Sequence, residues 1–315
     1  MNSFKSVIIR SVFVFFAVLA ISVFSNGVSA KEPIKIGFSM ALTGGLAGGG
    51  KQALVAMEMW AQDINSKGGM LGRPVKLIYY DDQTNPKNVP GIYAKLLDVD
   101  KVDFVVSGYG TNLIAPAMPV VIQRDIVFMG LFGMNNNKKW KYDKYFQILP
   151  SGPDPAVDFS RAWFDTIMQL SPKPKSIAFV AADAEFARNL KDGAVTNAKR
   201  LGMKITYNKN FKPGTPDFTP IIRAMNATNP DVIYVACYPP GAAGMTRAVS
   251  EVGTKAKAFG GGMVGLQFSG IMKGLGPKLN GILNYDFYVP EPNMTLYPGV
   301  VDLLKRYQKV APARK

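Results

Sequence analysis

The sequence contains no histidine and a single cysteine, Cys237, in 315 residues. Without His, no Ser-His-Asp triad, HExxH zinc site or two-His iron site can be built. A lone Cys supplies neither an internal disulfide nor a multi-Cys metal site. Its place after the apolar run Asp231 to Ala236 predicts a buried thiol. Acid is scarce too: 22 Asp and Glu stand against 37 Lys and Arg, a net charge of +15. Such a balance invites a nucleic-acid reading, but no dense Lys/Arg run with interleaved aromatics occurs. The basic residues are spread along the chain, as in a basic exported protein, and no nucleic-acid partner is expected. There is no G-x-S-x-G elbow, so a serine hydrolase of doubly wound fold finds no support. No cofactor and no metal site is expected.

What is present is a globular composition, 48% apolar, long enough for two domains with separate cores. Residues 1–30 form a three-part export signal. Lys5 and Arg10 make a basic start, Val12 to Val23 is almost wholly apolar, and Val28-Ser29-Ala30 offers small residues for cleavage. The apolar run is short for a membrane span. Cleavage after Ala30 is expected, leaving Lys31 to Lys315.

Strand and helix patterns then alternate. Strands are expected at Ile34 to Met40, Pro74 to Tyr80, Val102 to Val106 and Ile126 to Leu131. Helices are expected at Lys51 to Ser66, Lys87 to Val99 and Asn112 to Gln123. After the Pro/Gly-rich stretch Pro150 to Pro155 the pattern restarts. Strands are expected at Ser176 to Ala181, Met203 to Phe211, Asp231 to Ala236 and Ala258 to Gly260. Helices fall at Ala156 to Leu170, within Asp183 to Leu201, at Asp217 to Ala227 and at Gly241 to Val252. The same architecture is written twice. Val102-Asp103-Phe104-Val105-Val106 and Asp231-Val232-Ile233-Tyr234-Val235 hold matching places, and each precedes a Tyr, Tyr109 and Tyr238. The fold class is α/β, with two doubly wound Rossmann-like lobes. Ligands of such sheets bind beyond the carboxyl ends of the strands. The loops after Val106, Leu131, Ala181 and Ala236 should therefore line a cleft between the lobes.

Two glycine motifs are decoys. Gly45 to Lys51 nearly completes a P-loop, but Gln52 stands where the magnesium-binding hydroxyl belongs. Gly48-x-Gly50-x-x-Ala53 only loosely fits a dinucleotide fingerprint. The plainer reading is a flexible loop ahead of a helix, its amides facing the cleft.

Several segments resemble one family. They are Ile36-Gly37, Leu42-Thr43-Gly44 with its glycine-rich loop, Asp63-Ile64-Asn65-x-x-Gly68-Gly69-x-Leu71-Gly72-Arg73, Asp81-Asp82, Asp217-Phe218 and Pro230-Asp231-Val232. The chain resembles the periplasmic branched-chain amino-acid-binding proteins of ABC importers, the type I solute-binding fold, from about Ile34 to Pro290. The resemblance implies a two-lobed clamp that works as a monomer in the periplasm. It captures a small solute, performs no catalysis, and delivers its load to an ABC permease. It implies lobes at residues 31–149 and 150–286, hinged near Gln147 to Pro150 and Tyr285 to Pro290. A return segment, 287–315, would run towards the first lobe. Members continue further than Val310, so the chain is expected to be short there, naturally or by truncation, with apolar surface exposed.

Carried over by position, the resemblance implies ligand contacts from Tyr109, Gly110 and Thr111, and from Phe132, Gly133 and Met134, in the first lobe. Thr111 should cap the helix from Asn112, where free amides favour a carboxylate. The second lobe contributes Phe186, Tyr238 and Met263. Two departures stand out. The acid that pairs an amino-acid ammonium is missing from Gly260-Gly261-Gly262-Met263, and Gly49 and Met134 replace the family's Tyr and small hydroxyl residue. An unpaired ammonium in a closed cleft is costly. The ligand is thus expected to lack an α-amino group. An apolar or aromatic carboxylate, or an amide-like solute, fits Phe132, Met134 and Met263 better than leucine does, unless Asp183 or Glu185 supplies the charge for an amino acid. The same fold could serve as an importer component or a sensor.

Overall fold

The computed structural model of the chain describes residues 31–149, 152–286 and 298–311. The expected signal segment, the boundary at Pro150 and most of the second hinge (287–290) lie outside the described residues. The first half holds β1 (Ile34–Met40), α1 (Ala47–Ser66), β2 (Val75–Asp81), α2 (Val89–Asp98) and β3 (Phe104–Val106). It continues with α3 (Thr111–Ile114), α4 (Met118–Gln123), β4 (Phe128–Gly130) and β5 (Tyr145–Gln147). The second half holds α5 (Pro155–Ile167), β6 (Ser176–Ala182), α6 (Glu185–Arg200), β7 (Lys204–Phe211), α7 (Thr219–Asn226) and β8 (Val232–Cys237). Then come α8 (Pro239–Val252), β9 (Ala258–Met263), α9 (Ser269–Leu275), β10 (Ile282–Asn284) and α10 (Val300–Val310).

Each half builds one five-stranded sheet, ordered β2-β1-β3-β4-β5 and β7-β6-β8-β9-β10. Every pairing is parallel. The two orders are the same doubly wound pattern, reversing beside β1 in one lobe and beside β6 in the other. Paired acids mark the repeat at side-chain level. Asp103, ahead of β3, accepts the amide of Lys35 at the start of β1 (2.8 Å). Asp231, ahead of β8, accepts the amides of Lys175 (2.8 Å) and Ser176 (2.9 Å) at the start of β6.

Three expectations are corrected. The glycine-rich stretch is not a loop: α1 begins at Ala47, and Gly49 and Gly50 are buried within it. A side chain at Gly50 would meet the Ala41 carbonyl at 2.0 Å, so only Gly lets the helix approach β1 so closely. The helix expected over Asn112 to Gln123 is broken into α3, a 3-10 turn at Ala115–Ala117, and α4. Pro116 and Pro119 lack the amides that a continuous α-helix would need there. The strand read at Ala258 to Gly260 runs on to Met263, and β5, α9 and β10 are additional elements.

The second sheet is buried in one apolar cluster that includes Phe179, Tyr234, Leu190 and Met245. In the first lobe, α2, α3 and α4 close one face over Val105 and Phe128. The other face carries α1 and a smaller cluster around Ile36 and Val75. There Phe104, Met129 and Ile148 remain exposed. The short α10 lies against α1, its Arg306 forked onto Asp63 at 2.7 and 2.9 Å.

Candidate functional site

The carboxyl ends of β1 and β3 in one lobe meet those of β6 and β8 in the other. Tyr238 follows β8 and crosses the seam: its hydroxyl donates to Asn112 Oδ1 at the start of α3. Its ring packs against the cores of both lobes. Phe186, on the first turn of α6, stacks on that ring at 5.4 Å and 29°. Burial pushes the Tyr238 hydroxyl far above the usual tyrosine range, so it serves as a neutral donor. Tyr109, after β3, is likewise pushed up to about 12 by burial.

Gly110 separates Tyr109 from α3 with φ of 101°. A Cβ there would also stand 3.1 Å from the Tyr238 hydroxyl, so the position suits Gly twice over. The expected role of Thr111 changes. Gly110, not Thr111, is the N-cap, and no side chain caps the helix. The buried Thr111 hydroxyl instead accepts the Met134 amide (3.0 Å), and Asn136 Nδ2 donates to the Thr111 carbonyl (3.0 Å). These bonds tie the loops after β3 and β4 into one body. Gly133 is packed so closely on Asn136 that a Cβ would meet its Oδ1 at 2.1 Å.

Met134 is fully buried, and its side chain belongs to the second lobe's cluster. Asn189 of α6 reaches its carbonyl at 3.5 Å. Met134 is thus a pin between the lobes. Phe132 packs on Tyr109 at 5.2 Å but also lines the open apolar face of the first sheet. Met263 is fully buried in the second-lobe core, and its amide and carbonyl are both bonded to the Asn284 side chain. The nine expected residues therefore divide. Tyr109, Gly110, Thr111, Phe186 and Tyr238 gather at the seam, Met134 and Gly133 brace it, and Phe132 and Met263 face elsewhere.

The missing acid has a steric reason. A Cβ on Gly260 would stand 2.1 Å from the Leu283 carbonyl, and one on Gly261 2.4 Å from the Tyr234 ring. On Gly262 it would meet Leu190 at 2.6 Å. β9 has no room for a carboxylate at Gly260 or Gly261, and one at Gly262 would have to displace the Leu190 side chain. Of the two substitutes, Asp183 is engaged by Arg188 (2.7 Å). Glu185 makes no hydrogen bond or salt bridge among the described residues, and burial raises its pKa against the opposing pull of Arg188. It lies close enough to Tyr238 for its charge to be felt there. Gly49 has a counterpart explanation: the Tyr109 ring fills the place of any Cβ on it, at 2.3 Å. The aromatic absent from the first loop is supplied from the third.

Sequence reasoning missed Asn112, which looked like an ordinary helix start, and it showed the Asp81-Asp82 pair as a motif without the bonds it makes beneath the site. Asp81 accepts the Leu42 amide (3.0 Å), the Thr43 hydroxyl (2.6 Å) and the Gln83 amide (2.8 Å). Desolvation opposes its ionisation, but these bonds outweigh it and lower its pKa. Asp81 so fixes the loop after β1.

A closed pair of doubly wound lobes, meeting at their strand ends through aromatic and amide groups, defines a two-lobed solute-binding fold. The chain belongs to the periplasmic binding protein family, whose profile matches residues 33–315. Leu/Ile/Val-binding protein homolog 2 of Brucella abortus (strain 2308) is 24% identical over 276 residues, 87% of this chain and 71% of that protein. The amino acid binding protein of Pseudomonas aeruginosa is 25% identical over 236 residues, 75% of this chain and 62% of that one. Among solved structures, the leucine binding protein LivK of Thermotoga maritima superposes with a TM-score of 0.77 at 16% identity, over 88% of this chain and 75% of its own. LivJ of Streptococcus pneumoniae in complex with isoleucine gives 0.73 at 17%, over 88% and 77%. At these identities the two structures establish a common fold. The role that goes with the family is solute binding.

Proposed function

We propose that the chain is the exported binding component of an ABC importer of the branched-chain amino-acid type. It captures an amino acid or a related small carboxylate between its lobes and presents it to a membrane permease. The lobes are residues 31–149 and 150–286, with 287–315 returning towards the first. The protein works in the periplasm as a monomer and carries out no chemistry on its load.

The observation that supports this most is the seam itself. Tyr238 of one lobe bonds Asn112 of the other, directly beside the Tyr109-Gly110-Thr111 loop, so a solute held there touches both lobes. Contacts made only in the shut state favour closure. Micromolar capture requires about −8 kcal/mol, within reach of a few charge-assisted hydrogen bonds and apolar burial.

A second reading, a solute without an amino group, is favoured by the crowding at Gly260 to Gly262. Glu185 decides between them, since it is a half-buried acid at the seam with no hydrogen bond or salt bridge among the described residues. A thermal-shift screen of residues 31–315 against aliphatic amino acids, aromatic acids, dicarboxylates and amides tests the proposal. A true solute at a hundredfold excess over its Kd stabilises by about 2.7 kcal/mol. If the solute is an amino acid, Glu185→Gln should weaken it at least tenfold. If Glu185→Gln leaves the affinity unchanged, the head group carries no ammonium that Glu185 pairs. A cooperative melt that no compound shifts would count against solute capture.

A further inference from the structure

In sequence the basic residues are spread along the chain, but the fold gathers one group of them at the far end of the second lobe. The strands of that lobe are parallel, so their starts lie at one end, opposite the carboxyl ends that meet the first lobe. Lys175 directly precedes β6, Lys204 opens β7 and Lys257 directly precedes β9. Backbone bonds tie these starts together. The Lys204 amide donates to the Lys175 carbonyl (2.8 Å), and the Lys257 amide to the Asp231 carbonyl (2.7 Å). Lys173 and Lys255 stand in the adjoining turns, and Arg223 in the last turn of α7. All six residues are exposed.

The duplicated architecture supplies its own comparison. The equivalent end of the first lobe carries four salt bridges: Arg73–Asp103, Lys95–Asp100, Arg124–Asp98 and Lys144–Asp125. Among the described residues, none of the six cations of the second lobe forms one. Lys257 Nζ donates to a neutral acceptor, the Pro172 carbonyl (2.9 Å). Asp231 spends its carboxylate on the amides of Lys175 and Ser176 and on the Ser176 hydroxyl. Asp165 and Glu251, near the ends of α5 and α8, do not balance the rest. Between Arg223 and Lys255 lies a cavity of about 550 Å³. Two of its polar side chains are used internally: Asn226 Nδ2 donates to the Gly253 carbonyl (2.8 Å), and the Thr254 hydroxyl to Asn226 Oδ1 (2.8 Å). This end thus presents positive charge spread over several side chains, not a built cradle for one anion.

We propose that this end of the second lobe docks on an anionic lipid bilayer. Five of the six cations are Lys, compact hydrated charges on flexible stems. They suit a diffuse field of head groups better than bidentate capture of a single group. The core of a protein–protein interface, by contrast, is rich in aromatics and poor in Lys. Among the described residues of these turns, only Leu201 exposes a large apolar side chain. The negative potential of a bilayer surface acts on such a cluster within about a Debye length. The cleft lies at the other ends of the strands, so docking leaves it unobstructed. The choice of a bilayer rests on the proposed reading of an exported importer component, whereas the excess of unpaired charge does not.

The test is sedimentation of residues 31–315 with large vesicles, either phosphatidylcholine alone or phosphatidylcholine carrying roughly one-third phosphatidylglycerol. The triple variant Lys173→Gln, Lys204→Gln, Lys255→Gln removes three charges from the end of the second lobe. The triple variant Lys67→Gln, Lys76→Gln, Lys87→Gln removes three exposed charges from the first lobe as a control. Thermal melts matching wild type show that both fold. Wild type should bind the anionic vesicles at least about tenfold more tightly than the neutral ones, and raising salt from about 0.05 M to about 0.5 M should abolish the difference. The second-lobe variant should bind anionic vesicles at least about tenfold more weakly, and the control should stay within about threefold of wild type. No binding would overturn the proposal. Equal binding to both vesicles would overturn it in favour of the open apolar face of the first sheet. Equal losses in the two variants would reduce it to net charge, and displacement by inorganic phosphate at matched ionic strength would replace the bilayer with a free anion. Failure of the solute-capture reading looks different: vesicle binding and its loss in the second-lobe variant persist, while no compound in the thermal-shift screen stabilises the protein.

Discussion

Asp82 follows β2 beside the site, fully buried, with Oδ1 bonded to the Thr84 amide (2.9 Å). Its Oδ2 makes no hydrogen bond that meets ordinary geometry among the described residues, though the Ser39 hydroxyl beside it pulls the carboxyl's pKa down. Ser39 Oγ, also without a well-formed hydrogen bond among the described residues, faces the same point above Gly108. Burial pushes the Asp82 carboxyl up to about 6. Since the folded value lies above the unfolded one, the native state binds the extra proton between about pH 6 and 4. This residue's penalty is therefore full above pH 6 and is relieved as pH falls. Asp82→Asn should stabilise the protein at pH 8 by on the order of 1–2 kcal/mol, and the gain should shrink towards pH 4.5, read from chemical denaturation at both pH values. Neighbouring Asp81 runs the other way: its bonds hold its pKa down, so its contribution is lost in acid. The sequence displays the acid pair as a motif, but nothing in it says which carboxylate is bonded and which is stranded. Tyr238→Phe removes the inter-lobe bond and leaves Asn112 Oδ1 without its donor. We expect about tenfold weaker solute binding with an almost unchanged melting temperature, measured by calorimetry and thermal melts.

Among the elements, legibility followed length and burial. Long buried strands such as β1 were readable to the residue, because seven apolar-rich positions ahead of a glycine-rich stretch leave little else. The three-residue strands β5 and β10 carry no period, and only pairing to β4 and β9 makes them strands. The triple glycine of β9 read as a missing acid. Its physical cause is the Tyr234 ring and the β10 backbone, both distant in sequence. Gly261→Ala should therefore cost more than about 2 kcal/mol in urea denaturation, since φ is 118° and the Cβ would overlap the Tyr234 ring. The repeat makes a second prediction. Asp231 serves two strand amides and the Ser176 hydroxyl (3.0 Å), whereas Asp103 takes one strand amide and is more exposed. Asp231→Ala should cost about 2 kcal/mol and Asp103→Ala less than about 1, by the same measurement.

At the scale of the whole molecule, two surfaces behave differently. The seam between the lobes is packed and bonded, while one face of the first sheet lies open in a groove of about 600 Å³ lined by Met57, Trp60, Leu77, Phe104 and Met129. Its alternating strands carry apolar residues on both faces, the pattern of a sheet meant to be covered twice. Trp60 is 41% exposed and Ile148 57%. The folded protein should bind a hydrophobic dye through this face, and Trp60→Gln should lower that fluorescence without lowering the melting temperature. Lobe architecture, the duplicated order and the seam's Tyr109-Gly110-Thr111 and Tyr238 were legible in the sequence. The opposing Asn112 and the inter-lobe pin Met134 were not, because each depends on how one lobe lands on the other. That landing is the central claim, and a distance across the cleft tests it most directly. Spin labels on Lys87→Cys and Lys212→Cys, both exposed sites on opposite lobes, leave the buried Cys237 unlabelled. Saturation with a solute that binds by calorimetry should collapse a broad, longer distance distribution into a single shorter one. A distribution that such a solute leaves unchanged would contradict the clamp.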